Sequence, residues 1–93
     1  MKLSAKVDAS QPMIVAALRR IGVSILPLHH VGQGCPDLLC WHRGRYFLIE
    51  IKEAGKGLNE AQSEFLARWP GEWHIVHNIP EAMEATLGKE ILT

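Results

Sequence analysis

The chain has 93 residues, 47% of them hydrophobic and 22% charged, which is the scale and balance of one small globular domain spanning residues 1–93 rather than a disordered segment. Ten Lys and Arg offset ten Asp and Glu, which excludes a coat protein that holds DNA by sheer phosphate neutralisation, but not an enzyme that gathers charge on one face. Two cysteines are too few for a disulfide-stapled scaffold, and no apolar run approaches the roughly 18 residues of a membrane span.

Lys2 is followed by Ser4, Lys6 and Asp8, which is no signal-peptide core, so a cytoplasmic protein without a membrane role is expected. A domain this short buries a small fraction of its surface and gains from a partner subunit or a metal.

In chain order, residues 1–9 are polar and small and read as a lead-in. Ser10 suits a helix N-cap, and Pro12 is tolerated in the first turn, where its missing N–H has no partner anyway. Ile14, Ala17, Leu18 and Ile21 recur at helical spacing, and Gly22 ends the helix. Arg19 and Arg20 fall in its last turn, where cations suit the helix dipole. Residues 23–28 are β-branched and apolar and read as a strand, followed by a Gly-rich loop over 29–36. Two apolar runs, 37–42 and 45–52, meet at Arg43-Gly44 and read as a β-hairpin.

A flexible loop holds Ala54-Gly55-Lys56-Gly57. Asn59 then caps a helix with Gln62 completing a capping box, and Ala61, Phe65 and Trp69 are spaced by four along it up to Pro70-Gly71. Residues 72–77 read as a short strand, and a last helix runs from Pro80 to Leu87 with Gly88 at its end. The expected order is αβββαβα, one α/β or α+β domain without repeats.

The hairpin carries the chemistry. With Arg43-Gly44 as a two-residue loop, cross-strand partners have numbers summing to 87, which sets Asp37 opposite Glu50 with Cβ atoms roughly 4.5–5.5 Å apart. The strand period of two puts Lys52 on the face of Glu50 and turns Ile49 and Ile51 to the other, core side. Two carboxylates side by side repel unless something positive lies between them. Such a pair beside an ammonium suits a hard divalent cation such as Mg²⁺, which takes one or two carboxylates and keeps several waters. An exposed hairpin, with Asp37 as a turn cap and a surface Glu50–Lys52 pair, is the plain alternative.

Pro36-Asp37 followed by Glu50-Ile51-Lys52 on the next strand resembles the motif of the PD-(D/E)xK nucleases. Over roughly residues 10–87, with the early helix, the Gly-rich loop and Gln62 after the site, the chain is similar to a stand-alone VRR-NUC domain of phages and bacteria. The resemblance implies a restriction-endonuclease-like core with a central mixed sheet flanked by helices. It also implies Mg²⁺- or Mn²⁺-dependent cleavage of DNA, a kinship with Holliday-junction resolvases that favours branched substrates, and homodimers. No nucleotide cofactor is implied, and the setting is the cytoplasm of a bacterial or phage-infected cell.

Asp37 and Glu50 would be metal ligands with the Ile51 carbonyl, Lys52 the catalytic lysine, and Gln62 a residue near the site. Family members often carry an acid on the first helix, whereas this one begins Ser10-Gln11-Pro12-Met13, with Asp8 the nearest acid. A non-catalytic nucleic-acid-binding or assembly module with the same fold is therefore the alternative function.

His29, His30, Cys35, Cys40 and His42 are zinc-ligand types, but no C-x-x-C spacing occurs. Candidate DNA contacts are the His29-His30 pair before the loop, Arg43 and Arg45 at the hairpin tip, and Arg19 and Arg20. Trp41, Trp69 and Trp73 can stack bases, though core positions explain them more simply, and His74 and His77 read as surface or core residues. The zero net charge hides an asymmetry: residues 1–45 hold six basic and two acidic side chains, and residues 46–93 hold four and eight.

Overall fold

The computed structural model describes residues 10–88, so the 1–9 lead-in and Asp8 lie outside the described residues. Helix α1 spans Gln11–Arg20, strand β1 Ser24–Pro27, β2 Leu38–His42, β3 Arg45–Ile51, helix α2 Glu60–Ala67, β4 Trp73–Val76 and helix α3 Ile79–Leu87. The four strands form one mixed sheet in the order β1-β2-β3-β4, antiparallel except for the parallel β3–β4 pair. This is the expected αβββαβα order, with strand and helix ends trimmed by a residue or two. Trp69 falls beyond the end of α2 and stacks on Phe65 instead, with ring centroids 5.5 Å apart.

The hairpin register follows from its tip. Arg43 and Gly44 adopt φ of 52° and 81°, the paired positive values that let a two-residue turn match the twist of the strands it joins. His42 then pairs with Arg45, Cys40 with Phe47 and Leu38 with Ile49, each pair summing to 87 as the sequence predicts.

One face of the sheet is the core. Leu38, Cys40, Phe47, Ile49, Ile51 and Val76 are buried there against Ile14 and Leu18 of α1 and Ala82 of α3. Ser10 occupies the N-cap of α1 without a side-chain cap bond, whereas Asn59 and Asn78 cap α2 and α3 by accepting from Gln62 and Glu81 backbone N–H groups. The pleat turns Leu39, Trp41, Tyr46, Leu48 and Glu50 to the opposite face. Trp41 and Trp69 are therefore not core residues: they remain 39% and 41% exposed, because the phase of β2 aims Trp41 away from α1 and α3.

Candidate active site

Asp37 sits immediately before β2 in a bend whose carbonyl accepts the Leu28 N–H at 2.7 Å. Its carboxylate Oδ2 accepts the Ile51 N–H at 2.7 Å. That bond extends the hairpin one rung beyond the Leu38–Ile49 pair and fixes Asp37 beside Glu50. Glu50, on β3, is only 4% exposed. Its Oε2 accepts from Gln62 Nε2 at 2.9 Å and lies 3.8 Å from Lys52 Nζ. The structure thus brings together the four residues that the sequence singles out, Asp37, Glu50, Lys52 and Gln62, while Ile51 presents its backbone to the site and its side chain to the core.

The electrostatics follow from that crowding. Burial and the neighbouring Asp37 charge push the Glu50 carboxyl up to about 7, against the partial relief offered by Lys52, Gln62 and the Asp37 backbone N–H. The half-buried Cys35 thiol is raised too, by burial first and then by the charges of Glu50 and Asp37, which places it at the edge of the same cluster. Cys40, in the core, is pushed up to about 12 by burial and is no ligand. Among the described residues, no group of three or more His, Cys, Asp or Glu is arranged to hold a metal ion.

Gln62 fills its two expected roles at once. Its Oε1 accepts the Asn59 N–H at 3.0 Å while the Gln62 N–H donates to Asn59 Oδ1 at 2.9 Å, completing the capping box. Because the carbonyl end is held by the cap, the amide end must face Glu50. A Glu at this position would keep the cap and bring a third carboxylate to the site.

The Gly-rich loop sets where α2 begins. Gly34 adopts φ of 81°, and a Cβ added there would overlap the Ala61 carbonyl and stand 2.9 Å from the Gln62 nitrogen. Only glycine lets the loop lie this close to the first turn of α2. The sequence shows the glycine but not its neighbour, since nothing local links position 34 to position 61.

The four arginines among the expected DNA-contact residues do not gather at this cluster, whereas His29 follows Leu28, whose N–H donates to the Asp37 carbonyl. Arg43 is exposed at the tip, roughly 20 Å along the strands from the carboxylates. Arg19 and Arg20 end α1, on the other side of the sheet, and Arg19 donates to the Ile25 carbonyl at 3.4 Å. His29 and His30 lie in a turn with ring centroids 4.2 Å apart.

Arg45 differs most from the expectation of a DNA-facing tip. It shares the phase of Phe47 and Ile49, so its guanidinium turns to the helix side, donates to both Glu72 carboxylate oxygens at 2.8 and 3.0 Å and to the Thr86 and Ala85 carbonyls, and lies over the Phe47 ring. His74 approaches Glu72 at 2.6 Å and His77 pairs with Glu81 at 2.9 Å, so both histidines are partners of carboxylates.

No family model and no curated protein matches the chain. A solved structure described as a VRR_NUC domain superposes with a TM-score of 0.68, covering 80% of this chain and 86% of that one at 19% identity. The chain has the fold of a VRR_NUC domain. The mixed four-stranded sheet and αβββαβα order make it an α/β, restriction-endonuclease-like fold, and in this chain the β2–β3 hairpin and α2 carry the Asp37–Glu50–Lys52–Gln62 cluster.

Proposed function

We propose that this protein is a Mg²⁺- or Mn²⁺-dependent DNA endonuclease that favours branched substrates and acts as a homodimer. The observation that carries this reading is a pair of carboxylates held together, Glu50 buried and facing Asp37, with one ammonium 3.8 Å away. Two carboxylates side by side repel, and the donor chemistry fits a hard cation, which takes oxygen ligands such as these carboxylates and the Ile51 carbonyl. Asp37, Glu50 and the Ile51 carbonyl would hold the ion. The chemistry such an ion would supply there is polarisation of a phosphodiester and activation of water at neutral pH.

The remaining work falls to the chain. Lys52 offers a positive charge to the oxygen on which negative charge builds as the phosphodiester is attacked. The Ile51 N–H fixes the Asp37 carboxylate, and the Gln62 amide fixes that of Glu50, so neither must reorganise when substrate arrives. A two-fold homodimer would present two such sites to the two-fold symmetry of a four-way junction.

The test is cleavage of supercoiled plasmid and synthetic four-way junctions with and without Mg²⁺ or Mn²⁺. Metal-dependent products are expected from the parent protein, with a loss of at least about a hundredfold in Asp37→Ala and Lys52→Ala. No cleavage by the parent, or cleavage that persists without such a loss in both variants, overturns the reading. The first turn of α1 carries no acid, and this favours a second reading, a non-catalytic module that binds branched DNA. Gel shifts that ignore metal and yield no products would select it.

A further inference from the structure

The sheet face that carries Glu50 continues into apolar surface. Ser24, Trp41 and Tyr46 stand in one row across β1, β2 and β3, and Leu26, Leu39 and Leu48 form the next row toward the carboxylates. Leu48 is buried, but Leu26, Trp41 and Tyr46 are 57%, 39% and 66% exposed. The two rows border an open groove of about 350 Å³.

Three observations say what fits this surface. The first is continuity: Tyr46 and Glu50 lie on one face four residues apart, roughly 13 Å, a span that a few nucleotides of one strand cover. The second is charge. Among the described residues, no carboxylate lines the groove, and exposed Arg43 stands at the adjoining tip. The cavity beside Arg45 is the contrast, lined by Glu72, Glu81 and Glu84. The third is chemistry: Trp41 and Tyr46, cross-strand partners, set two aromatic side chains on the groove.

We infer that Trp41 and Tyr46 form a stacking platform for unpaired nucleobases of a DNA strand whose phosphate lies at the Asp37–Glu50 pair. The inference rests on the nuclease reading and deepens it by naming the substrate feature that is read. Bases in a duplex hide their faces in the stack, whereas a single-stranded flap or splayed arm exposes them. Stacking on Trp or Tyr then gives affinity without regard to sequence. Selectivity would go to DNA with unpaired nucleotides a few steps from the cut.

Binding measured by fluorescence anisotropy under chelator, so that no strand is cut, tests this independently of catalysis. The probes are a short oligothymidylate, a duplex of equal length, and the same single strand with abasic sites. Trp41→Ala and Tyr46→Ala are each expected to weaken single-strand binding about five- to hundredfold, with duplex binding changed by less than about twofold. Trp41→Phe should retain most of the affinity. The abasic strand should bind the parent about as weakly as the intact strand binds the double variant.

Unchanged single-strand binding overturns the platform, as does equal weakening toward intact and abasic strands. So does conversion of a dimer to a monomer on sedimentation, which would assign the face to a second copy of the chain. If discrimination between intact and abasic strands holds while no cleavage is ever seen with metal restored, the nuclease reading fails and the platform stands.

Discussion

Strand β3 carries charge on both of its faces, and the two settings are opposite in character. On the helix-covered face, Arg45 gives its donors to Glu72 and to carbonyls of α3, and those bonds, with His74, hold the Glu72 carboxyl below the usual range. On the other face, Glu50 meets a second carboxylate and is pushed up to about 7. The first cluster is balanced by its own neighbours and joins β3, the start of β4 and the end of α3. The second sets two carboxylates side by side, with the Lys52 ammonium 3.8 Å from Glu50. A charged cluster that balances itself stabilises a fold. One that sets like charges together in a buried place favours a cation between them, and this difference, rather than the presence of charge, marks Asp37–Glu50–Lys52 as the candidate site.

The sharpest way to break the contrast is through activity. Lys52→Ala should lower metal-dependent plasmid cleavage by about 10²–10³-fold, the usual effect of deleting a group that stabilises transition-state charge, with little change in melting temperature. Arg45→Ala should leave cleavage measurable at low temperature, so a reversal of these two outcomes would exchange the roles of the clusters.

The next effect is on the pH dependence of stability. Glu50 binds its proton more tightly in the folded chain, about 7 against 4.5 unfolded. Its contribution is therefore fully present below pH 4.5 and is lost as pH rises through 7, about 3 kcal/mol in all. Glu72 has the opposite sign, since its lowered value gives stability present above 4.5 and lost as pH falls below it. Denaturant unfolding under chelator should show stability declining between pH 5 and 8, about as far as these limits allow, and Glu50→Gln should flatten that decline.

Arg45→Ala should cost about 2 kcal/mol by chemical denaturation, less than its bond count implies because the pair with Glu72 is over a third exposed. The smallest effect is expected of Gln62→Leu. It should cost about 1 kcal/mol through the capping box and move the Glu50-dependent decline to higher pH, because a bond that favours the charged carboxylate is gone. An unchanged midpoint would separate Gln62 from the site.

Much of this was legible in the sequence because it depends on local rules. The Arg43-Gly44 turn fixes the hairpin register, the register pairs Asp37 with Glu50, and the strand period adds Lys52. The capping box at Asn59 and Gln62 is likewise a spacing of three. What was not legible depends on contacts distant in sequence. Arg45 read as a tip residue because Glu72 and Thr86, its partners, lie 27 and 41 positions away. Trp41 was assigned to the core although its phase, two residues from Leu39 and paired with Tyr46, already set it on the face of Glu50. The alternation was available there, but nothing local shows which face the helices cover.

The contact of Gly34 with the first turn of α2 has a dynamic consequence. Among the residues of α2 only Leu66 is buried, so this helix is held by the loop at its start more than by broad packing against the sheet. Its release would withdraw Gln62 and admit water to Glu50, whose carboxyl would return toward its ordinary value and lose its proton near neutral pH. Opening of the helix and ionisation of Glu50 are therefore linked events, each drawing the other forward as pH rises. The same glycine that sets α2 in place thus makes its fraying sensitive to protons.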